Sequence, residues 1–424
     1  MVIPLKKKGF YVFVIILAVS AGLFCCKWYF GRCHVLPQCA ATSVAEARVP
    51  PQETNTASTR RMLAAQVLVF RSRDYAQVEQ CVINLKTAGV NTLIVRAFQN
   101  RGDRVYRFSR PQCKTGVYFE TMHAPVVDPV LTRIVSIGHR HGLKVFAWME
   151  TRKMPLHLAH AEPFTALGYC FETRSFKPIP TWSIFDETVE KKLIGLYKDV
   201  VGSGIDGILI QDDLIMRQHE DFSSKAVALF AQETGRVLDP QILYHGVFQD
   251  EEGRWLVSRY SDTFWLWARW KNQKLLNLAS KLIQAAKAAN PDIEVAMNFM
   301  YESVTDPKNA LAWLSQSLDE AMKLPIDFYA IMAYHRQMKK ELRLSEGDAY
   351  NKISTMTATL LNAIDDPHKI LMKVQMSDWD TRKLIPAHEA SQVFKRINNQ
   401  GRVSLAFIPY SPKFPLQVIG HYFQ

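Results

Sequence analysis

Residues 206–213 read Asp-Gly-Ile-Leu-Ile-Gln-Asp-Asp, a short apolar run that leads directly into two neighbouring carboxylates. An apolar run of this length between polar residues is typical of a buried strand in a parallel sheet. Side chains that follow one another on a strand point in opposite directions, so Asp212 and Asp213 are expected to diverge. The motif therefore predicts a strand whose carboxyl end presents an acid to a site.

Seven more apolar runs alternate with amphipathic stretches through the rest of the chain. This alternation is typical of an α/β protein with a parallel sheet. The eight predicted strands are 65–70, 92–97, 144–149, 207–210, 294–299, 328–334, 369–375 and 403–409. Eight such units predict a (β/α)8 barrel of the TIM type, with a doubly wound sheet as the alternative. The absence of a GxGxxG or phosphate-binding loop after the first strand disfavours that alternative.

Composition restricts the class of protein. The chain has 424 residues, of which 48% are hydrophobic and 22% charged, and its formal net charge is +12. These fractions are ordinary for a globular protein and exclude a disordered chain or a polytopic membrane protein. Nucleic acid is not expected as a partner, because the barrel region contains no run of basic residues and no RNA-binding signature.

The N-terminus carries a membrane signal. Three lysines at 6–8 precede an apolar run over 10–26, whose length is at the lower limit for a spanning helix. Positive charge ahead of the run places the short N-terminus in the cytoplasm and the remaining chain outside. We predict a single membrane segment that acts as a signal anchor in residues 1–31, with a cleaved signal peptide as the alternative. A flexible linker is predicted over 32–62, and the barrel domain over 63–424.

The cysteines and histidines do not predict a metal site. Seven cysteines occur without CxxC or CxxH spacing, so zinc is not expected. No nucleotide-binding loop and no GxSxG motif is present, and no cofactor is predicted. In an oxidising compartment Cys33 could pair with Cys39 and Cys113 with Cys170, although unpaired buried thiols are the alternative.

Polar and aromatic residues follow the predicted strands. Because the active site of such a barrel is assembled at the carboxyl ends of its strands, these residues are the site candidates. They combine carboxylates, aromatic rings and amide or guanidinium donors, the groups that bind sugar hydroxyls and the flat apolar faces of sugar rings. The candidates are Arg71, Arg96 with Gln99, Trp148 with Glu150, Asp212 with Asp213, Asn298, Tyr334 with His335, Gln375 with Asp378 and Trp379, and Tyr410.

Glycoside hydrolysis is the chemistry that this set favours. Two close carboxylates raise the pKa of one of them, which provides a proton donor at neutral pH. Asp212 or Asp213 is predicted to be the general acid, and Asp378 or Glu150 the second carboxylate. The predicted substrate-binding residues are Arg96, Trp148, Asn298, Tyr334, His335, Trp379 and Tyr410.

Six stretches carry a resemblance to a known family. They are 89–92 with 97–98, 144–149, 207–213, 219–221, 375–379 and 410–414. In this order they resemble the C-terminal glycoside hydrolase-like domain of the PgaB family, which processes poly-β-1,6-N-acetylglucosamine during bacterial biofilm export. The likeness spans residues 63–414.

The resemblance implies a (β/α)8 barrel that binds partly de-N-acetylated β-1,6-linked glucosamine polymer and hydrolyses it internally. It matches Asp212 and Asp213 to the acidic pair that holds the family's catalytic carboxylate. Trp148, Asp378, Trp379 and Tyr410 match groove positions. It also implies a place in the bacterial cell envelope, anchored in the inner membrane with the domain in the periplasm or outside, beside polysaccharide export or synthesis machinery.

Departures from the family pattern leave alternatives open. Glu150 stands where the family usually has Pro, and Gln211 where it has His. Deacetylase activity is not expected, because residues 1–62 contain only the predicted anchor and linker. The positive net charge leaves a neutral or acidic glycan as an alternative substrate. A catalytically silent glycan-binding module of an export system is the alternative function.

Overall fold

Eight parallel strands close into a barrel in the computed structural model, which describes residues 61–251 and 253–422. Each strand pairs with its neighbours in chain order, and the last pairs with the first. The predicted (β/α)8 barrel is therefore confirmed. The strands are β1 (Leu63–Val67), β2 (Thr92–Arg96), β3 (Lys144–Met149), β4 (Gly207–Ile210), β5 (Glu294–Phe299), β6 (Phe328–Ala333), β7 (Ile370–Gln375) and β8 (Ser404–Ile408).

Helices connect the strands and cover the outside of the barrel. Several begin at a side chain that accepts a backbone N–H of the first turn, as Asp74, Asp186, Ser261 and Ser345 do. The α-helices are Tyr75–Thr87, Leu131–Arg140, Glu187–Asp199, Ser224–Thr234, Pro240–Leu243, Asp262–Ala289, Glu302–Thr305, Pro307–Leu314, Leu318–Ala321, His335–Glu341, Glu346–Ala363, Ala387–Asn398 and Gln417–Gly420, with 3₁₀ turns at Val200–Ser203 and Pro367–Lys369.

Two hairpins extend from the carboxyl side of the barrel. Thr165–Cys170 pairs with Ser175–Trp182 after β3, and Tyr244–Gln249 pairs with Trp255–Tyr260 after β4. Aromatic residues of both hairpins pack with the amino-terminal half of Asp262–Ala289 in a second apolar core beside the barrel. The hairpins are thus held by packing against this helix outside the barrel, and not by side chains of the barrel interior.

The predicted membrane anchor and nearly all of the predicted linker lie outside the described residues. Met62, at the predicted end of the linker, is already buried, and its N–H donates to the Ser404 hydroxyl at 2.8 Å. In the two described ranges, no helix has the length and apolar character that crossing a membrane requires. Cys113 and Cys170 are free thiols, so the possible bridge between them is not formed. Cys33 and Cys39 lie outside the described part of the chain.

Gly207 at the start of β4 allows the barrel interior to close. A Cβ atom there would lie 2.3 Å from the Phe146 ring of β3, well inside van der Waals contact. The Phe146 ring in turn approaches Phe328 of β6, with 6.2 Å between the ring centroids. Glycine at 207 therefore provides the space in which the aromatic ring fills the interior.

We expect Gly207→Ala to lower the free energy of unfolding by about 1–3 kcal/mol, because the added methyl group must displace a packed ring. Urea denaturation measures this change. Gly202→Ala is the matched control, since a Cβ at 202 has no atom within 4 Å. An equal loss of stability in both variants would contradict the packing explanation.

Candidate active site

The side chains of β3 that point into the barrel interior lie next to the candidate site. Phe146 and Phe328 belong to strands that do not pair, so their contact places both rings inside the barrel. Alternation along β3 puts Trp148 on the same inner side and directs Glu150, just beyond the strand, towards the mouth. We call the carboxyl end of the barrel interior the mouth.

Trp148 is held by a neighbouring strand end and by a buried cation. Its indole N–H donates to the side-chain oxygen of Gln211, which directly follows β4. The Arg96 guanidinium lies 4.3 Å from the Phe98 ring centroid and 5.7 Å from that of Trp148, and it forms an ion pair with Asp103. Arg96 thus supports the aromatic wall of the mouth, and its charge is already paired.

Asp213 is fixed to the loop that follows β3. Its carboxylate accepts the N–H of Thr151 at 3.0 Å, the Thr151 hydroxyl at 2.8 Å and the N–H of Lys153 at 2.8 Å. Burial raises the pKa of Asp213, although these hydrogen bonds act in the opposite direction. Asp213 therefore connects the loops after β3 and β4.

Glu150 lies beside Asp213 and is a buried acid. Both of its oxygens accept the Asn100 side-chain N–H₂, at 3.0 and 3.2 Å. Burial raises the pKa of Glu150 to about 8, and the nearby charge of Asp213 contributes to this increase. At neutral pH this carboxyl group holds a proton, as a general acid must.

Asp212 is the open carboxylate of the acidic pair. It is half-buried, and its side chain makes no hydrogen bond within the described ranges. Lys373 of β7 is buried in the barrel interior, where its Nζ donates to the Asn298 side-chain oxygen at 2.8 Å. Asp213 is thus held by the loop after β3, whereas no hydrogen bond of this kind fixes Asp212 in the described ranges.

Apolar and aromatic side chains form the other wall of the mouth. Tyr334 and Trp379 meet edge to face, with 5.4 Å between their ring centroids. The indole N–H groups of Trp379 and Trp313 are buried and have no protein partner. This wall offers flat apolar surfaces, on which the apolar faces of sugar rings can pack. Its other members are Leu68, Ile215, Met300, Leu314, Met332 and Ile408.

Asp378 is bound within its own loop. One oxygen accepts the N–H of Thr381 at 2.7 Å and its hydroxyl at 2.9 Å, and the other accepts Arg336 at 3.2 Å. Although burial opposes them, these contacts lower the pKa of Asp378. Asp378 therefore stabilises the loop that carries Trp379, and its carboxylate oxygens are already occupied.

His335 and Tyr410 turn away from the mouth. The His335 Nε2 lies 2.7 Å from the Glu389 carboxylate, which also holds Arg336 at 2.6 Å. The Tyr410 hydroxyl contacts the Cys81 thiol of the helix Tyr75–Thr87, and burial raises the pKa of Tyr410. Of the predicted substrate-binding residues, Trp148, Asn298, Tyr334 and Trp379 lie at the mouth, and Arg96 packs against Trp148. His335 and Tyr410 instead contact residues of outer helices.

A buried ionic network joins the loops after β3 and β4. Arg152 donates to Glu220 at 2.8 Å and to the backbone carbonyl of Ile215. Burial raises the pKa of Glu220, but Arg152 outweighs it and lowers that pKa to about 2. Lys271 completes the network by donating to the carbonyls of Arg217 at 2.8 Å and Glu220 at 2.6 Å.

Two residues near the carboxylates were not predicted. Lys373 stands inside the apolar run of β7, and a charge in such a run is a signal that it faces a polar site. Asn100 lies in a loop after β2, where the sequence pattern carries no sign that it reaches Glu150. In the described ranges, no group of three or more His, Cys, Asp or Glu is arranged to hold a metal ion.

Residues 77–408 match the family described as hypothetical glycosyl hydrolase family 13. Poly-β-1,6-N-acetyl-D-glucosamine N-deacetylase of Escherichia coli K12 is 23% identical over 311 residues, covering 71% of this chain and 41% of that protein. The protein of the same name from E. coli O157:H7 matches to the same extent. The chain thus spans about two-fifths of the length of these curated relatives.

Solved structures share the barrel. The PgaB (BpsB) glycoside hydrolase domain from Bordetella bronchiseptica superposes with a TM-score of 0.64 at 19% identity, covering 85% of this chain and 96% of that one. The catalytic domain of β-amylase from Paenibacillus polymyxa gives a TM-score of 0.54 at 9% identity, covering 87% and 98%. At these identities the superpositions establish the fold alone. Together with the family and sequence matches, they confirm the predicted resemblance.

Glu150→Gln tests the protonation of the buried acid. Between pH 4.5 and about 8 the folded protein keeps a proton on Glu150 that the unfolded chain releases, so this group's contribution to stability falls as the pH rises. Glutamine can still accept from Asn100 and cannot ionise. We expect the variant to be more stable than wild type at pH 9 by about 2–5 kcal/mol, and similar to it near pH 4.

Urea denaturation at pH 4, 7 and 9 measures this difference. Glu187→Gln is the control, because that side chain is 83% exposed. If the stabilities of Glu150→Gln and wild type ran parallel across this range, Glu150 would not be a protonated acid.

Proposed function

The chain belongs to the hypothetical glycosyl hydrolase family 13, and on this premise we propose that it is a glycoside hydrolase that cleaves a polysaccharide internally. One observation supports this most: the half-buried Asp212 follows β4, while burial raises the pKa of Glu150, directly after β3, to about 8. Glycoside hydrolysis uses two carboxyl groups, of which the general acid must carry a proton.

The proposed substrate is partly de-N-acetylated poly-β-1,6-N-acetylglucosamine or a related exopolysaccharide. Support comes from the E. coli relatives, which are named as deacetylases of poly-β-1,6-N-acetyl-D-glucosamine. The aromatic wall with Tyr334 and Trp379 fits sugar rings of many kinds, so it supports a glycan without selecting one.

In the proposed reaction the bond between C1 and the glycosidic oxygen breaks. The departing oxygen receives a proton from the buried Glu150–Asp213 pair, and Asp212 stabilises or attacks the positively charged C1. Water then supplies the hydroxyl group on C1 and returns a proton to the protein. Loop movement on binding must bring Glu150 to the substrate, because only 1% of its surface is exposed in the free protein.

We place the protein in the bacterial cell envelope, anchored in the inner membrane with the barrel in the periplasm or outside. The lysines at 6–8 and the apolar run over 10–26 support this location. An exopolysaccharide substrate would be present there, and export or synthesis machinery is the proposed neighbour.

A glycan-binding module is the second candidate. It is favoured by the state of the other carboxylates: Asp213 and Asp378 are occupied by hydrogen bonds, and Glu150 is covered. Asp212 would then orient a bound sugar without cleaving it.

Incubation with partly de-N-acetylated β-1,6-linked glucosamine polymer, followed by mass spectrometry of the products, distinguishes the two. We expect wild type to release short oligosaccharides and Asp212→Asn to do so at least about 100-fold more slowly, with polymer binding retained. Asp319→Asn, an exposed aspartate on Leu318–Ala321, is the control and should cleave like wild type.

Two results would contradict the proposal, each in a different part. Wild type that binds the polymer without shortening it would identify a binding module. Wild type that neither binds nor cleaves it would show that the proposed substrate is wrong.

A further inference from the structure

One guanidinium group connects the chain segments that carry the two aromatic rings of the mouth wall. Arg336 donates through Nε and Nη2 to the two oxygens of Glu389, at 2.7 and 2.6 Å, and through Nη1 to Asp378 at 3.2 Å. Glu389 belongs to the helix Ala387–Asn398, whereas Asp378 belongs to the loop after β7. Arg336 therefore ties this loop to two helices, its own helix His335–Glu341 and Ala387–Asn398.

The partners of this bridge are close in sequence to the aromatic rings. Arg336 follows Tyr334 by two residues, and Asp378 directly precedes Trp379. The rings of Tyr334 and Trp379 meet edge to face, with 5.4 Å between their centroids. The ion pair of Arg336 with Asp378 and the contact between the two rings thus join the same two segments of the chain.

The loop after β7 is closed by its own hydrogen bonds. The N–H of Asp378 donates to the carbonyl of Lys383 at 2.8 Å, and the N–H of Ile385 donates to that of Met376 at 2.9 Å. The Asp378 oxygen that does not face the guanidinium accepts the N–H and the hydroxyl of Thr381. None of these bonds reaches the helix after β6. The loop is therefore shaped internally, while its position against that helix depends on side-chain contacts.

Two ion pairs join the loop to the helix after β6, and their surroundings differ. Lys340 pairs with Asp380, and both side chains are exposed. Arg336 is half-buried and is held by Glu389 as well as by the loop. Burial raises the pKa of Glu389, but hydrogen bonds, first that of Arg336, outweigh it and lower that pKa to about 2. An exposed pair restrains its partners little, whereas a guanidinium fixed between two carboxylates restrains both.

We propose that Arg336 is a positioning residue that bridges Asp378 and Glu389 and thereby holds Trp379 against Tyr334 as a fixed surface for a sugar ring of the substrate. This role deepens the proposed function, on which it rests, because a glycan is the ligand that packs on such a surface. A surface that is ordered before binding loses less conformational entropy in the complex than a mobile one. The bridge is therefore expected to act on affinity.

Arg336→Met in the full chain tests this role. The substitution keeps most of the length of the side chain and removes all of its hydrogen bonds. We expect KM for the glucosamine polymer to rise about 5–10-fold. We expect kcat to change less than about twofold, because a surface that packs equally on the bound substrate and on the transition state contributes uniform binding. A residue with only a structural role would lower the melting temperature and leave KM unchanged.

Two further variants isolate the link to the loop. Asp378→Asn keeps an oxygen for Thr381 and loses the charge that pairs with Arg336, so we expect a similar rise in KM. Because both changes break one link, their combination should raise KM no further. Lys340→Met is the matched control, since it removes the exposed ion pair between the same helix and the same loop. A rise in KM as large as that of Arg336→Met would contradict a specific role for Arg336.

Exchange of the Trp379 indole N–H with solvent is a readout without turnover. This group is buried, so its exchange reports how often the ring leaves its position. In protein labelled with ¹⁵N at tryptophan, the signal is identified by its loss in Trp379→Phe. We expect exchange to be about 10-fold faster in Arg336→Met and unchanged in Lys340→Met. If Arg336→Met fails to fold, Asp378→Asn is measured in its place.

The two readouts keep this role separate from the proposed function. Unchanged exchange, or faster exchange with an unchanged KM, would overturn the role of Arg336. Faster exchange in the variant of a protein whose wild type neither binds nor cleaves the polymer would overturn the proposed function alone. For a wild type that binds the polymer without cleaving it, Kd takes the place of KM in the same comparison.

Discussion

Closure of the sheet between β1 and β8 is the constraint on which the rest of the molecule depends. A parallel sheet must be covered on both faces, and a closed one has no free edge that needs pairing. Closure also brings the carboxyl ends of all eight strands into one ring. Asn298 and Lys373, which are 75 residues apart along the chain, become neighbours for this reason.

Charge burial is what distinguishes the mouth from an ordinary barrel end. Glu150, Asp213 and Lys373 all have pKa values displaced towards their neutral forms, because water has been removed around them. Burying such groups destabilises the folded state, and the burial of apolar side chains in the barrel beneath them must offset this loss of stability. In the network of Arg152 and Glu220, by contrast, opposite charges satisfy one another, which suits a structural role in joining two loops.

The sequence pattern was sufficient for the barrel because each strand is a separate apolar run and each run has a polar end. It also made Asp212, Asp213 and Glu150 candidates, since position after a strand predicts nearness to the mouth. It could not give side-chain direction: Tyr410 turns to Cys81 and His335 to Glu389, and both partners lie on outer helices. Lys373 was missed because strands buried on both faces lack the alternation that marks an inner face.

The contact of Phe146 with Phe328 across the space at Gly207 has a topological consequence. Side chains fill the barrel beneath the mouth, as they do in other (β/α)8 barrels, so the interior is not a conduit. A long polymer cannot thread through the molecule and can only rest across its upper surface, with both of its ends free. The proposed function therefore requires that the polymer moves sideways, past the hairpins, and is engaged at points within its length.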